Sequence, residues 1–356
     1  LYEAHHPTNK DTLKSAYYRL KFDEYFFLQL VLAMNKHQIS NYKGKKFINL
    51  GDYAINMYKS LDFQLTTSQI KVMREIRKDL ASNKPMNRLV QGDVGCGKTI
   101  IAMLTAAIIV GGQSQVAIMA PTEILAEQHY ESFIEYCREL DISCELLVSN
   151  ISDKKKKSIY EQLKNGEIQI IVGTHALIQE KVIFKDLALV VIDEQHRFGV
   201  EQRKTLINKG TCVNILAMTA TPIPRTLTFA IHGDMDLSWI DELPSNRIPI
   251  KTSIIDFNNI DDIYQKMKNE MDKGRFCFIV FPIIQESDKI DAEDAENAYN
   301  KFKSNIFSNY SLGFLHGQLK KDEKKELMNK INNKKIQCLV ATTVVEVGIN
   351  NPNATI

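Results

Sequence analysis

Gly92-Asp93-Val94-Gly95-Cys96-Gly97-Lys98-Thr99 stands between a short apolar run at 88–90 and a long apolar stretch at 99–110. The octet fits G-x-x-x-x-G-K-[ST] at every fixed position, and its flanks supply the strand before and the helix after that such a loop needs. Glycines let the backbone curl so that successive N–H groups point inward at phosphate oxygens. The helix starting near Lys98 adds the positive end of its dipole. Lys98 is expected to reach β- and γ-phosphates, and the Thr99 hydroxyl a Mg²⁺ ion. The plainer alternative, a glycine-rich turn into a core helix, has no need of Lys and Thr together.

Outward from this loop, short apolar runs at 88–90, 116–119, 168–172, 187–192 and 215–218 alternate with helical stretches at 99–110, 124–140 and 154–163. That rhythm predicts βαβ units, a largely parallel sheet with helices on both faces, and ligands at the carboxyl ends of its strands. One such end is acidic. Leu189-Val190-Val191-Ile192 runs into Asp193-Glu194, where Asp193 suits a Mg²⁺ ion held through water and Glu194 a base for an attacking water. A second cycle follows the turn-rich Glu242-Leu243-Pro244-Ser245-Asn246-Arg247, with strands expected at 276–281, 313–315 and 338–340 and helices at 263–271 and 321–331. The predicted fold is therefore α/β, two tandem domains with largely parallel sheets, the second incomplete at its C-terminus. Residues 1–60 read as a helical arm, 61–242 as the first domain, 243–250 as a linker and 251–356 as the second domain. The arm is helical over 15–37, with apolar residues at Ala16, Leu20, Phe27, Leu30, Val31 and Met34.

Composition narrows the classes. At 356 residues the chain exceeds one compact core. Lys and Arg number 45 against 43 Asp and Glu, a net charge of +2 that neither demands nor excludes a polyanionic partner. The longest apolar run, 100–110, is too short to span a bilayer. Leu1 is not a start methionine and no leader pattern follows, so the chain reads as a piece of a longer cytoplasmic protein. The six cysteines form no C-x-x-C pair and read as reduced core residues. His5-His6 lacks further ligands at zinc spacing.

Taken together, these segments resemble the superfamily-two helicases, and most closely the RecG family of branch-migrating DNA helicases. The resemblance rests on Gln91 with the loop at 92–99, on Ala120-Pro121-Thr122-Glu123 with Leu125-Ala126-Glu127-Gln128-His129, and on Val172-Gly173-Thr174-His175-Ala176. Its most specific parts are Asp193-Glu194-Gln195-His196-Arg197-Phe198-Gly199-Val200 and Met218-Thr219-Ala220-Thr221-Pro222-Ile223-Pro224-Arg225. Leu315-His316-Gly317, Ala341-Thr342-Thr343-Val344-Val345-Glu346-Val347-Gly348 and Pro352-Asn353-Ala354 extend it.

The resemblance implies RecA-like domains, ATP and Mg²⁺ as cofactors, and branched DNA (forks, Holliday junctions) held by its phosphates. It implies a monomer that migrates Holliday junctions and regresses stalled forks. Gln195 and His196 join Asp193, Glu194 and Lys98 as catalytic residues. Glu346 and Gly348 join Gly92, Asp93, Val94, Gly95, Cys96, Gly97, Lys98 and Thr99 at the nucleotide. Phe63, Thr66 and Gln69 resemble the adenine-recognition element, an aromatic to stack on the base and an amide to pair with its edge, although the trio by itself also fits a helix cap with a core Phe. Pro121, Thr122, Thr174, His175, Arg197, Thr219, Thr221, Arg225, His316, Gly317, Thr342 and Thr343 fall to DNA binding or to coupling. Thr219 and Thr221 are expected to hydrogen-bond to the acidic pair, although threonines at such turns are also often structural. Cys96 departs from the family's small hydroxyl residue, and Asn350-Asn351 from an acidic–apolar pair. The family's arginine motif follows Pro352-Asn353-Ala354, so weak ATPase activity is expected of this stretch by itself. A transcription-repair coupling factor shares much of the pattern. A nucleotide-gated scaffold would not need Lys98, Asp193 and Glu194 together.

Overall fold

Strands buried on both faces must be apolar throughout, and β2 (Gln115–Met119), β4 (Ile170–Gly173) and β5 (Leu187–Asp193) are buried at every residue. They form the middle of a seven-stranded sheet in the computed structural model, which describes residues 1–40, 43–221, 235–244, 250–256, 259–281, 288–317, 319, 321–342, 351 and 353–356. Arg225, Thr343, Glu346, Gly348 and part of the 243–250 stretch lie outside the described residues. The chain divides into two units, Leu1–Arg247 and Ile248–Ile356.

In the first unit the strand order is β3-β4-β2-β5-β6-β1-β7, completed by β1 (Asn87–Gly92), β3 (Cys144–Leu147), β6 (Asn214–Thr219) and β7 (Asp236–Ile240). Every pairing in it is parallel. The helices are α1 (Tyr2–His5), α2 (Lys10–Ser40), α3 (Gly51–Ser60), α4 (Thr67–Ala81), α5 (Lys98–Gly111), α6 (Glu123–Glu139), α7 (Asp153–Asn165) and α8 (Val200–Ile207). Their ends follow local chemistry. Thr66 and Gln69 form a reciprocal capping box on α4, Thr122 accepts from Leu125 N–H to cap α6, and Gly166 closes α7 at φ 81°. α5 is buried from Ile100 through Val110, as a helix apolar on all sides must be.

The stretch read as an arm divides in two. α2 leaves Tyr18, Phe22, Phe27 and Val31 exposed, and its Lys36 pairs with Asp236 at 2.8 Å. Beyond it, Phe47, Ala54 and Met57 enter the same core as α5 and the sheet, so this part belongs to the first unit's packing.

In the second unit β8 (Cys277–Phe281), β10 (Cys338–Thr342) and β9 (Leu312–Leu315) pair in parallel in the order β8-β10-β9. Its helices are α9 (Ile260–Asp272), α10 (Asp288–Lys301) and α11 (Lys321–Asn332). Tyr264 meets Phe302 and Phe307 edge-on in its core. Cys277 and Cys338 face each other across the ladder, where burial pushes their thiols up to about 11 and about 12. No helix of the described residues is long and apolar enough to cross a membrane.

Candidate functional site

Parallel pairing sets β5, β6 and β1 side by side, with Asp193 beside Met218 and Thr219 beside Gln91. The carboxyl ends of these strands therefore bring together the acidic pair, the 219–221 turn and the glycine loop, three segments far apart in sequence.

The loop leaves β1 with Asp93, Val94 and Gly95 exposed and Cys96 buried. Gly95 and Gly97 take φ of 74° and 91°, where side chains other than glycine's are strained. A Cβ on Gly97 would also run into Gln69 Nε2. Lys98 heads α5, and its Nζ donates to the carbonyls of Gly92 at 2.7 Å and Asp93 at 3.0 Å, inside the curl. Desolvation pushes the Cys96 thiol up from its ordinary value, against the opposing pull of Lys98.

Gln69 is placed differently from its expected role at the base. It is buried, its Oε1 accepts from Thr66 N–H at 2.8 Å, and its Nε2 donates to the Cys96 carbonyl at 2.8 Å. The amide thus braces the loop from beneath. Phe63 is exposed, with a face available for stacking.

The acidic pair is held on every side. Asp193 is buried at the end of β5, with Oδ1 accepting from Glu194 N–H at 3.1 Å and Oδ2 lying 2.7 Å from His129 Nε2. Glu194 adopts φ 48°, ψ 55°, a left-handed conformation unusual for a side chain of its size. Its Oε2 accepts from Thr219 Oγ1 at 3.2 Å and its Oε1 from Ala220 N–H at 3.1 Å. His196 Nδ1 stands 3.5 Å from the same Oε2. Thr219 and Thr221 share a 2.7 Å hydroxyl contact, and Gln91 Nε2 donates to the Thr221 carbonyl at 3.0 Å. Gln195 is buried beneath, accepting from Arg203 Nη1 at 3.4 Å.

Thr99 and Asp193 make a sparse oxygen set, which fits Mg²⁺ because that ion keeps water and phosphate oxygens around it. The glycine curl and Lys98 fit a phosphate chain.

The residues expected to face DNA separate on burial. His175 and Arg197 are exposed, and Pro121 and Thr122 half-buried at the start of α6. Thr174 is buried, and its hydroxyl has no hydrogen-bond partner, so it does not offer the surface grip expected of it. Thr342 is likewise buried at the end of β10. After the neighbouring strand β9, Gly317 is exposed, and the half-buried His316 stacks on Phe314 at 4.8 Å. His129 and Gln91 lie within the segments that carry the resemblance, but their sequence positions alone assign neither a role. The signal for both was their place beside functional residues, and their partners emerge only when the strands assemble.

Residues 66–229 match the DEAD/DEAH box helicase family and residues 258–356 the helicase conserved C-terminal domain. The chain is 45% identical over 355 residues to the ATP-dependent DNA helicase RecG of Bacillus subtilis, covering 99% of this chain and 52% of that protein. It is 44% identical to the ATP-dependent DNA helicase RecG of Synechocystis, covering 99% of this chain and 43% of that one. Among solved structures it is similar to RecG bound to a three-way DNA junction, with TM-score 0.81, 39% identity, and 96% and 45% of the two chains covered. Dbp5 of S. cerevisiae bound to RNA and ADP BeF3 shares the fold at TM-score 0.62 and 22% identity, over 87% and 79% of the chains. The chain spans about half the length of the relatives it matches.

Proposed function

Because the chain belongs to the RecG family of DEAD/DEAH box helicases, we propose that the whole protein is an ATP-driven motor that migrates Holliday junctions and regresses stalled forks. We take it to act as a cytoplasmic monomer. The observation that carries the motor reading is the bonding of Glu194 to the Thr219–Ala220 turn beside the glycine loop.

Lys98 is the cation of the loop and turns from the Gly92 and Asp93 carbonyls to the β- and γ-phosphates. Thr99 and Asp193 would hold Mg²⁺, which when bound offsets phosphate charge. Glu194 orients a water molecule and takes its proton. Its two oxygens are tied to the 219–221 turn, so a shift of that turn moves the base. Thr219 is in this way the coupling residue, and Gln91 extends the tie to the strand that carries the loop. Phe63 stacks on the adenine, while Gln69 keeps the loop in shape. Exposed His175 and Arg197, with Thr122 at the head of α6, meet the DNA backbone and read no sequence.

The test is ATP turnover by the full-length protein with a three-way junction, linear duplex or single strand, alongside binding across salt concentrations. Turnover is expected to be highest with the junction, and affinity to fall steeply with salt and vary little with sequence. Turnover indifferent to DNA, or strong sequence selectivity at high salt, would overturn the reading.

A further inference from the structure

Two turns into α6, His129 is buried with its Nε2 2.7 Å from Asp193 Oδ2. A carboxylate only accepts, so the imidazole nitrogen carries the hydrogen and donates it. The other oxygen, Oδ1, takes the Glu194 N–H. Asp193 is therefore fixed at both oxygens, once by the backbone of its own turn and once by a helix 64 residues earlier in the chain. Hydrogen bonds to a carboxylate are short and strong, and a buried partner left without one is costly.

The position of His129 on its helix adds a second element. α6 begins at Thr122, whose hydroxyl accepts from Leu125 N–H at 3.3 Å. Thr122 and His129 lie nearly two turns apart, about 10 Å along the axis and on one face. One end of this short rod stands where the DNA backbone is proposed to bind, and the other holds the carboxylate proposed for Mg²⁺.

We propose that His129 is a positioning residue, which sets Asp193 toward Mg²⁺ through its Nε2 hydrogen and links that setting to the DNA-facing end of α6. The inference rests on the motor reading, but its first test needs no DNA. In the full-length protein, His129→Met keeps the volume and removes the donor, His129→Ala removes both, and His129→Gln returns an amide N–H near the Nε2 position. Binding of a fluorescent ATP analogue is followed while Mg²⁺ is titrated, then kcat is measured with and without junction DNA.

Loss of an outer partner of a metal ligand commonly costs about 10- to 100-fold in metal affinity or activity. His129→Met and His129→Ala are expected to raise the Mg²⁺ needed for half-maximal nucleotide binding about tenfold. Nucleotide affinity without Mg²⁺ should stay unchanged and stimulation by DNA should shrink, while His129→Gln recovers most of both. If His129→Ala does not fold, the comparison of His129→Gln with His129→Met decides alone. Equal Mg²⁺ titrations in that pair, or titrations matching the unmodified protein in both, would overturn the proposal. An unmodified protein indifferent to DNA, with the Mg²⁺ shift intact, would sink the motor reading and the link to DNA but leave the positioning of Asp193 standing.

Discussion

Glu194 spends conformational energy to be where it is: φ 48° costs a glutamate on the order of 1 kcal/mol, and the bonds to Thr219 and Ala220 hold it there. Such a residue should separate binding from chemistry when altered. Glu194→Gln is expected to bind ATP normally in the full-length protein and lose turnover by about 100-fold or more, whereas Lys98→Ala loses both. Equal loss of binding in the two variants would refute that division. Thr219→Val, which removes one of the two ties, should lower kcat about tenfold or more with little change in ATP affinity. The thiol of Cys96 offers a check on the loop's interior. Burial raises its pKa, so near neutral pH it stays protonated and alkylates slowly, and the rate climbs only as pH rises past the ordinary thiol range of about 8.5. Peptide mass spectrometry of an iodoacetamide time course should show half-buried Cys212 modified well before Cys96 at pH 7. Equal rates would contradict the burial of Cys96. At this scale Lys98, Asp193 and Glu194 were legible because phosphate and water chemistry dictate their residue types. The burial of Thr174 and the bracing by Gln69 were not, since a threonine or a glutamine suits a surface and an interior alike until its neighbours are known.

Among the elements, the central strands announced themselves as unbroken Val, Ile and Leu runs, whereas β3 and β7 did not. Both are edge strands. Cys144-Glu145-Leu146-Leu147 and Asp236-Leu237-Ser238-Trp239-Ile240 mix polar and apolar residues, and among the described residues one side of each ladder is unpaired. β7 is secured by a polar network that no periodicity forecasts. Buried Arg88 on β1 pairs with Asp79 at 2.7 Å and Glu75 at 3.1 Å on α4, and donates to Ser238 on β7 at 2.7 Å. Arg88→Met leaves the two carboxylates without their cation and is expected to cost about 3 kcal/mol, read as a lower urea midpoint for the first unit. A loss below the error of the measurement would show the network to be ornamental. The head of α4, by contrast, could be read, since Thr66 and Gln69 stand at capping-box spacing. What could not be read was that the same Gln69 reaches the loop.

The whole molecule has its apolar interior in separate places: the cores around α5 and the large sheet in Leu1–Arg247, and the aromatic cluster of Tyr264, Phe302 and Phe307 in Ile248–Ile356. Each unit has a core of its own, so urea unfolding is expected to show at least two transitions, with intrinsic fluorescence and far-UV signals disagreeing on the midpoint. A single coincident transition would mean that the units stand or fall together. The tandem α/β plan was visible from the alternation of runs, and the participation of Phe47, Ala54 and Met57 in the first core was not, because three scattered residues carry no period. The strand order bears on how the protein is made. β1, which carries the glycine loop, has as its neighbours β6 and β7, and Arg88 waits for a Ser238 that lies 150 residues downstream. At a ribosome adding about 5–20 residues each second, the loop's strand emerges with both flanks vacant for roughly 6 to 24 seconds. Through that interval the nucleotide site cannot assemble. Its most apolar segment, α5, is then the part of the nascent chain most in need of a chaperone.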